Sequence, residues 1–381
     1  MKIVIAPDSF KGSITAVQAA AAIEKGIRRA FPTCNVDKIP MADGGEGTVD
    51  AMISAAGGKL IKAVVCGPLS EEVEGFFGIL GDGKTAVIET ASASGLTLIP
   101  SGRRNPMLTT TFGTGQLISK ALDQNCRKFI IGLGGSATVD GGTGLLNALG
   151  VKFNDKNGVQ IPTGGGGLEY LCSIDPRGMD KRIRDSEFLA ACDVDNPLCG
   201  DKGAARVYGP QKGATAQMVK LLDKNLENYG NKIKEATGRD ICSIPGAGAA
   251  GGLGAGIAAF LDASLVPGVD IILDAVGFEE RVRDADLVIT GEGRMDYQTL
   301  HGKVPMGVTG IAQKFGIPVV AIAGDIKGDV SSLHKKGITA VAGICPGPML
   351  PEQAMKQADV LLADTAERVM RLIGIGLEIF T

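Results

Sequence analysis

Lys2-Ile3-Val4-Ile5-Ala6 runs straight into Pro7-Asp8-Ser9-Phe10-Lys11-Gly12-Ser13, and Thr15 to Phe31 then places Val17, Ile23, Ile27 and Phe31 near helical spacing. A short apolar run, a polar turn and an amphipathic helix together predict one strand-loop-helix unit of a parallel α/β sheet. The same grammar returns along the chain. Val36 to Pro40 leads into Ala42-Asp43-Gly44-Gly45-Glu46-Gly47-Thr48 and a short helix closed at Gly57-Gly58, and Phe129 to Leu133 leads into Gly134 through Gly142. Leu287 to Ile289 leads into Thr290-Gly291-Glu292-Gly293-Arg294-Met295-Asp296, expected as a loop, and Pro318 to Ala323 leads into Gly324-Asp325. In a parallel sheet the loops after the strands emerge at one edge, where ligands bind, so these polar loops are expected to converge.

Ala63 to Val65, Val73 to Leu80 and Lys84 to Glu89 read differently, as short runs separated by Gly-Pro and Gly-Asp-Gly turns that predict antiparallel hairpins. Because strand-loop-helix units occur at both chain ends, the expected fold class is α/β with two domains. Residues 1–62 plus 283–381 would form a doubly wound parallel-sheet domain, and 63–282 an inserted mixed α/β domain, with 105–150 assignable to either. The active cleft is expected between them. No fixed-period repeat or low-complexity tail is present.

A length of 381 residues suits two domains rather than one small module. Glycine, at 56 residues, is far above ordinary usage while proline is only 17, which excludes collagen-like and disordered classes and assigns the excess to backbone turns. A net charge of −3, 4% aromatic residues and no tryptophan provide neither a basic field nor a stacking platform for nucleic acid. The cysteines, Cys34, Cys66, Cys126, Cys172, Cys192, Cys199, Cys242 and Cys345, lack C-x-x-C spacing, which disfavours zinc or a disulfide scaffold and fits a reducing cytosol. The N-terminal apolar run is too short for a signal peptide. The uncharged stretch Ile244 to Leu261 is rich in glycine and alanine and is expected to be a tight loop entering a closely packed helix, not a membrane span.

Two motif matches fail on context. Gly78-Ile79-Leu80-Gly81-Asp82-Gly83-Lys84-Thr85 has Walker A spacing, but Thr85 to Glu89 continues as a strand, so a hairpin turn is expected. Gly246-Ala247-Gly248-Ala249-Ala250-Gly251 has dinucleotide spacing without a clear preceding strand.

With only two histidines, His301 and His334, a histidine triad or a multi-histidine metal site is disfavoured, and acid–base work falls to carboxylates. Asp8 with Ser9 and Lys11, Asp43 with Glu46, and Glu292 with Arg294 and Asp296 all follow apolar runs, where charge must be paired or used. The ordinary alternative for each is an N-cap or a loop salt bridge. Carboxylates such as Asp43, Glu46 and Glu292 at one sheet edge can hold Mg²⁺, while Lys11, Arg294 and Lys303 can neutralise phosphate or a substrate carboxylate. Gly134-Gly135-Ser136-Ala137-Thr138, with Asp140, is the best candidate phosphate cradle, because small residues let backbone approach the ligand. Gly44 and Gly45 are candidates of the same kind. Asp193 and Asn196 could meet a hydroxylated substrate or a metal, or simply form an Asx-turn before Pro197.

Taken in order, the Asp8, Asp43–Thr48, Gly134–Thr138 and Cys192–Leu198 segments, Gly209-Pro210-Gln211-Lys212-Gly213-Ala214 and Thr290–Lys303 closely resemble the bacterial type I glycerate kinases. The resemblance covers essentially the whole chain. It implies ATP- and Mg²⁺-dependent phosphorylation of D-glycerate, at the 2-hydroxyl, in glyoxylate or sugar-acid catabolism, and a flavodoxin-like domain built from both chain ends. Val139 departs from the family pattern, which usually has a polar residue there. The mechanism expected is in-line transfer with Asp193 as first choice of base and Asp8 and Asp296 as alternatives, and with Ser9, Asn196, Gln298 and Lys303 on the substrate. Small-molecule substrate and ATP are the expected partners, with no nucleic acid and no membrane. A homodimer is left open. The rival readings are a nicotinamide-dependent hydroxy-acid dehydrogenase resting on Gly246–Gly251, and a non-catalytic two-domain binding protein.

Overall fold

The computed structural model describes residues 1–380, with the side chains of Gln298, His301 and Phe380 outside the described set. In chain order the strands are β1 (Lys2–Pro7), β2 (Asn35–Lys38), β3 (Gly58–Cys66), β4 (Glu72–Leu80), β5 (Thr85–Glu89), β6 (Lys128–Gly132), β7 (Lys152–Asn154), β8 (Ser173–Asp175), β9 (Glu187–Ala191), β10 (Ser264–Val266), β11 (Leu287–Met295), β12 (Val319–Ile326) and β13 (Ala340–Gly343). The chain divides into two compact units. One comprises Met1–Asp43, Asp50–Gly57 and the chain from Val269 onward, and the other Gly44–Val49 and Gly58–Gly268. The segment 105–150 lies in the second unit, and the division falls at Gly268, ahead of the residue 282 suggested by sequence.

In the first unit a five-stranded sheet runs β13-β12-β11-β1-β2, with every pair parallel. Numbered within the unit this is the 2-1-3-4-5 order of flavodoxin-like sheets, whose switch point lies between the first and third strands. Here that point is flanked by β1 and β11. The helix Ala16–Ala30 starts at a capping box: the Thr15 hydroxyl accepts from the Gln18 amide at 3.2 Å, and the Gln18 side chain accepts from the Thr15 amide at 2.9 Å. Its buried face, Ala19, Ile23 and Ile27, joins Leu362, Ala366 and Met370 of the helix Ala358–Phe380 and Ile3, Ile5 and Ile289 of the sheet in one core.

The loops expected at Thr290–Asp296 and Gly324–Asp325 are corrected by the sheet. β11 continues to Met295 and β12 to Ile326, with Arg294 opposite Asp325 and Met295 opposite Ile326. Glycine lowers strand propensity locally, but two neighbours that extend together satisfy each other's backbone groups and override it.

The second unit holds a six-stranded sheet ordered β10-β9-β6-β5-β4-β3. The pairs β3–β4 and β4–β5 are antiparallel and the others parallel, and β7 and β8 form a separate antiparallel pair. Phe129 and Phe188 stack with centroids 4.7 Å apart inside this unit. The Walker-like stretch is a hairpin turn in which the Asp82 carboxylate accepts from the amides of Lys84 and Thr85 at 2.9 Å and from the Thr85 hydroxyl at 2.6 Å. No strand directly precedes Gly246–Gly251, and the backbone turns left-handed at Ala250, Gly251 and Gly252 before the buried helix that ends at Phe260. Among the described residues, no helix is long and apolar enough to cross a membrane.

Candidate active site

At the C-terminal ends of the first-unit strands lies a cavity of about 580 Å³. Its polar lining includes Asp8, Ser9, Lys11, Glu292, Arg294, Lys303 and Asp325, and its apolar lining includes Phe10, Ile344, Met349 and Met355. Asp8 directly follows β1, and its amide donates to the Gly291 carbonyl at 2.8 Å, which fixes it at the switch point. Its side chain is only 4% exposed, and its carboxylate accepts from the Ser9 amide at 2.6 Å. Burial, followed by the negative charge of Asp43, pushes the Asp8 carboxyl up to about 7, against the opposing pull of Ser9 and Lys11. A carboxylate so placed can exchange a proton near neutrality.

Glu292, also buried, accepts from the Thr299 hydroxyl at 2.7 Å and from the Lys303 ammonium at 3.4 Å. Burial still holds it above the ordinary glutamate range. Lys11 pairs with Asp43 at 2.7 Å and Arg294 with Asp325 at 3.1 Å. The structure therefore brings Asp8, Ser9, Lys11, Glu292, Arg294 and Lys303 to one cavity. Asp296 instead lines a smaller neighbouring depression with Tyr297, Leu300 and Ile326, because the extension of β11 carries it past the sheet edge. The Gln298 side chain falls outside the described residues.

The glycine-rich turn belongs to the second unit. Gly134 crosses the Gly44-Gly45 backbone so closely that a Cβ on Gly134 would lie 2.8 Å from the Gly45 Cα, and its amide faces the Gly44 carbonyl at 3.4 Å. Gly135, with φ +74°, is the exposed tip. Among the described residues, neither the Gly135 nor the Ser136 amide donates to a protein acceptor. Consecutive unclaimed amides beside a left-handed glycine are the backbone arrangement that receives anions.

Beyond this tip the side chains turn inward. Ala137, Thr138, Val139 and Asp140 are buried, and Val139 belongs to the apolar core. Asp140 accepts from the Thr111 amide and hydroxyl, both at 2.8 Å, and from the amides of Gly142 and Gly144 at 3.1 and 3.3 Å, so its carboxylate organises the fold. The part of the expected cradle that reaches the surface is thus Gly134 and Gly135, followed by the unclaimed amide of buried Ser136.

Asp193 is exposed after β9 and accepts from the Gly268 amide at 2.8 Å. Asn196 does not form an Asx-turn. Its oxygen accepts from the Tyr208 hydroxyl at 2.6 Å and its amide nitrogen donates to the Lys202 carbonyl at 2.8 Å, which spends the side chain inside its own loop. Glu46 is exposed. Among the described residues, no three His, Cys, Asp or Glu side chains are gathered as a metal cage.

Sequence reading missed Asp325 and Thr299 as site residues. Asp325 carried the same signal as Asp8, a carboxylate after an apolar run. Thr299 carried none, since only the 3₁₀ turn Tyr297–His301 brings its hydroxyl to Glu292.

Comparison with known proteins adds an independent finding. A model of the glycerate kinase family matches residues 3–374. The chain is 50% identical over 380 residues to a glycerate kinase of Bacillus subtilis (strain 168), covering 100% of both chains. It is 49% identical over 377 residues to a glycerate 2-kinase of Escherichia coli (strain K12), covering 99% of both. A crystal structure described as that of a glycerate kinase 2 from Salmonella typhimurium LT2 superposes with a TM-score of 0.91 at 46% identity over 99% of both chains.

Proposed function

The chain belongs to the glycerate kinase family, and on that premise we propose that it transfers the γ-phosphoryl group of ATP to the 2-hydroxyl of D-glycerate, giving 2-phospho-D-glycerate. As a member of this family it is a kinase, a phosphotransferase with an alcohol acceptor, and the family implies ATP as phosphate donor. The observation that carries the finer reading is Asp8, a buried carboxylate with a pKa about 7 in a cavity lined by Lys11, Arg294 and Lys303. Phosphoryl transfer needs little covalent chemistry from the protein: it needs a group to accept the hydroxyl proton and fixed cations to face the charged oxygens.

In this reading Asp8 accepts the glycerate hydroxyl proton, a role its burial and its pKa near neutrality support. Ser9 and Lys303 orient the substrate, and Lys11 and Arg294 face its carboxylate or the transferring phosphoryl group. The unclaimed amides at Gly135 and Ser136 support a role for that turn in holding nucleotide phosphates. ATP when bound supplies the phosphoryl group. Asp43, Glu46 and Glu292 are oxygen donors of the type Mg²⁺ takes, and are the residues that would hold it if it accompanies the nucleotide.

The test is to incubate the protein with D-glycerate, ATP and Mg²⁺, add enolase without phosphoglycerate mutase, and follow enolpyruvate absorbance. A signal is expected. ADP release without that signal would assign the 3-phosphate, and no ADP release would overturn the kinase reading for this substrate.

A further inference from the structure

Lys212 lies at the end of the 3₁₀ turn Pro210–Lys212, only 3% exposed, in a part of the second unit that the chemistry above does not use. Its ammonium donates to the Ser136 hydroxyl oxygen and to the Thr138 carbonyl, both at 2.8 Å. No carboxylate reaches ion-pair distance of it among the described residues, although Asp140 acts on it electrostatically. A buried ammonium with two neutral acceptors is costly unless something balances its charge. Both acceptors belong to the turn whose exposed tip is Gly135, where the Gly135 and Ser136 amides are unclaimed.

We propose that Lys212 is a positioning residue for nucleotide binding, which holds the Gly134–Thr138 turn in shape and, by occupying the lone pair of Ser136, directs the Ser136 hydroxyl proton and a positive field toward a phosphate at the tip. The inference rests on the reading of this turn as the phosphate site. It adds a residue that would not itself touch the ligand.

Burial draws the Lys212 ammonium down to about 7, against the pull of Asp140. Tyr229, the other titratable group acting with Asp140, is held above its ordinary value by burial and stays neutral in this range. An anion at the tip would favour the charged lysine, so binding should draw a proton in, and by reciprocity affinity should weaken as pH rises above 7.

The experiment is calorimetric titration of the full chain with ATP between pH 6.5 and 8.5, in buffers of different ionisation enthalpy. The wild type should take up part of a proton per site near pH 7.5. Lys212→Met should abolish that uptake and weaken ATP about tenfold, as expected for one charge-assisted interaction, with kcat at saturating ATP nearly unchanged. Lys212→Arg should restore affinity without pH-dependent uptake, and it also provides the baseline for ionisation of the nucleotide itself. Wild-type uptake no greater than the Lys212→Arg baseline would overturn the inference, as would a folded Lys212→Met protein with wild-type affinity. If Lys212→Met does not fold, the wild-type uptake decides.

Gly135→Asn and Gly135→Asp separate the two readings, since both residues tolerate a left-handed backbone and differ by one charge. Equal ATP affinity in the two would overturn the phosphate reading of the turn and this inference with it. Weaker binding by the aspartate variant, together with no proton uptake in the wild type, would remove Lys212 alone.

Discussion

Lys11 Nζ lies 2.7 Å from Asp43 Oδ2, tying the turn after β1 to the segment after β2 beside the Asp8 carboxylate. The lysine is largely exposed, so the pair contributes little to stability, about 1 kcal/mol or less. Its consequence is electrostatic: Lys11 lowers the pKa of Asp8, whereas Asp43 raises it. Lys11→Met is therefore expected to leave the melting temperature nearly unchanged and to move the acid limb of the kcat/KM profile to higher pH. A pH–rate series on the variant checks this.

Asp8→Asn should lower kcat about 10²- to 10⁴-fold, the range for loss of a general base. In the wild type the rate should rise through about pH 7, as Asp8 loses its proton, and then level. Asp193→Asn is the comparison. A larger loss there than at Asp8 would return the role of base to Asp193.

The same carboxyl affects stability. Its folded pKa is raised from 3.8 to about 7, so between these values the folded state holds more protons than the unfolded chain, and stability falls as pH rises through that window. Asp8→Asn removes the ionising group. Thermal melts should therefore show the variant more stable than wild type at pH 8 and without that advantage at pH 4.

Lys303 lowers the pKa of Glu292, whose carboxylate it approaches at 3.4 Å. Lys303→Met leaves Glu292 buried with only Thr299 as a hydrogen-bond donor from this cluster. The expected result is a KM for glycerate raised about tenfold, the cost of one charge-assisted contact. Steady-state kinetics with glycerate varied will show it.

Gly251, at φ +72°, packs so tightly that a Cβ would run into the Thr138 carbonyl, the same oxygen that accepts from Lys212. Gly251→Ala should destabilise the protein by about 1–3 kcal/mol through backbone strain and overpacking. Denaturant unfolding measures the loss, and ATP affinity should fall with it.

The sequence by itself determined the periodic elements and the turns between them. The apolar run before Asp8, the helical spacing from Thr15 to Phe31 and the hairpin that defeats the Walker match were all legible, because each depends on residues a few positions apart. The candidate residues Asp8, Lys11, Glu292, Arg294 and Lys303 were legible as charges after short apolar runs, although β11 itself runs through Glu292 and Arg294. Tertiary structure decided which way side chains point and what burial does to them. Thr138 and Asp140 lie in the same turn as Gly135, yet they are buried while Gly135 is exposed, because that direction is set by packing against Thr111 and the core. β11 runs on to Met295 only because β12 extends beside it. Asp8 is shifted by Glu292, and Lys212 meets Ser136, across long stretches of chain. Local pattern carries propensity and spacing, whereas desolvation and Coulomb energy depend on neighbours that only the folded chain brings together.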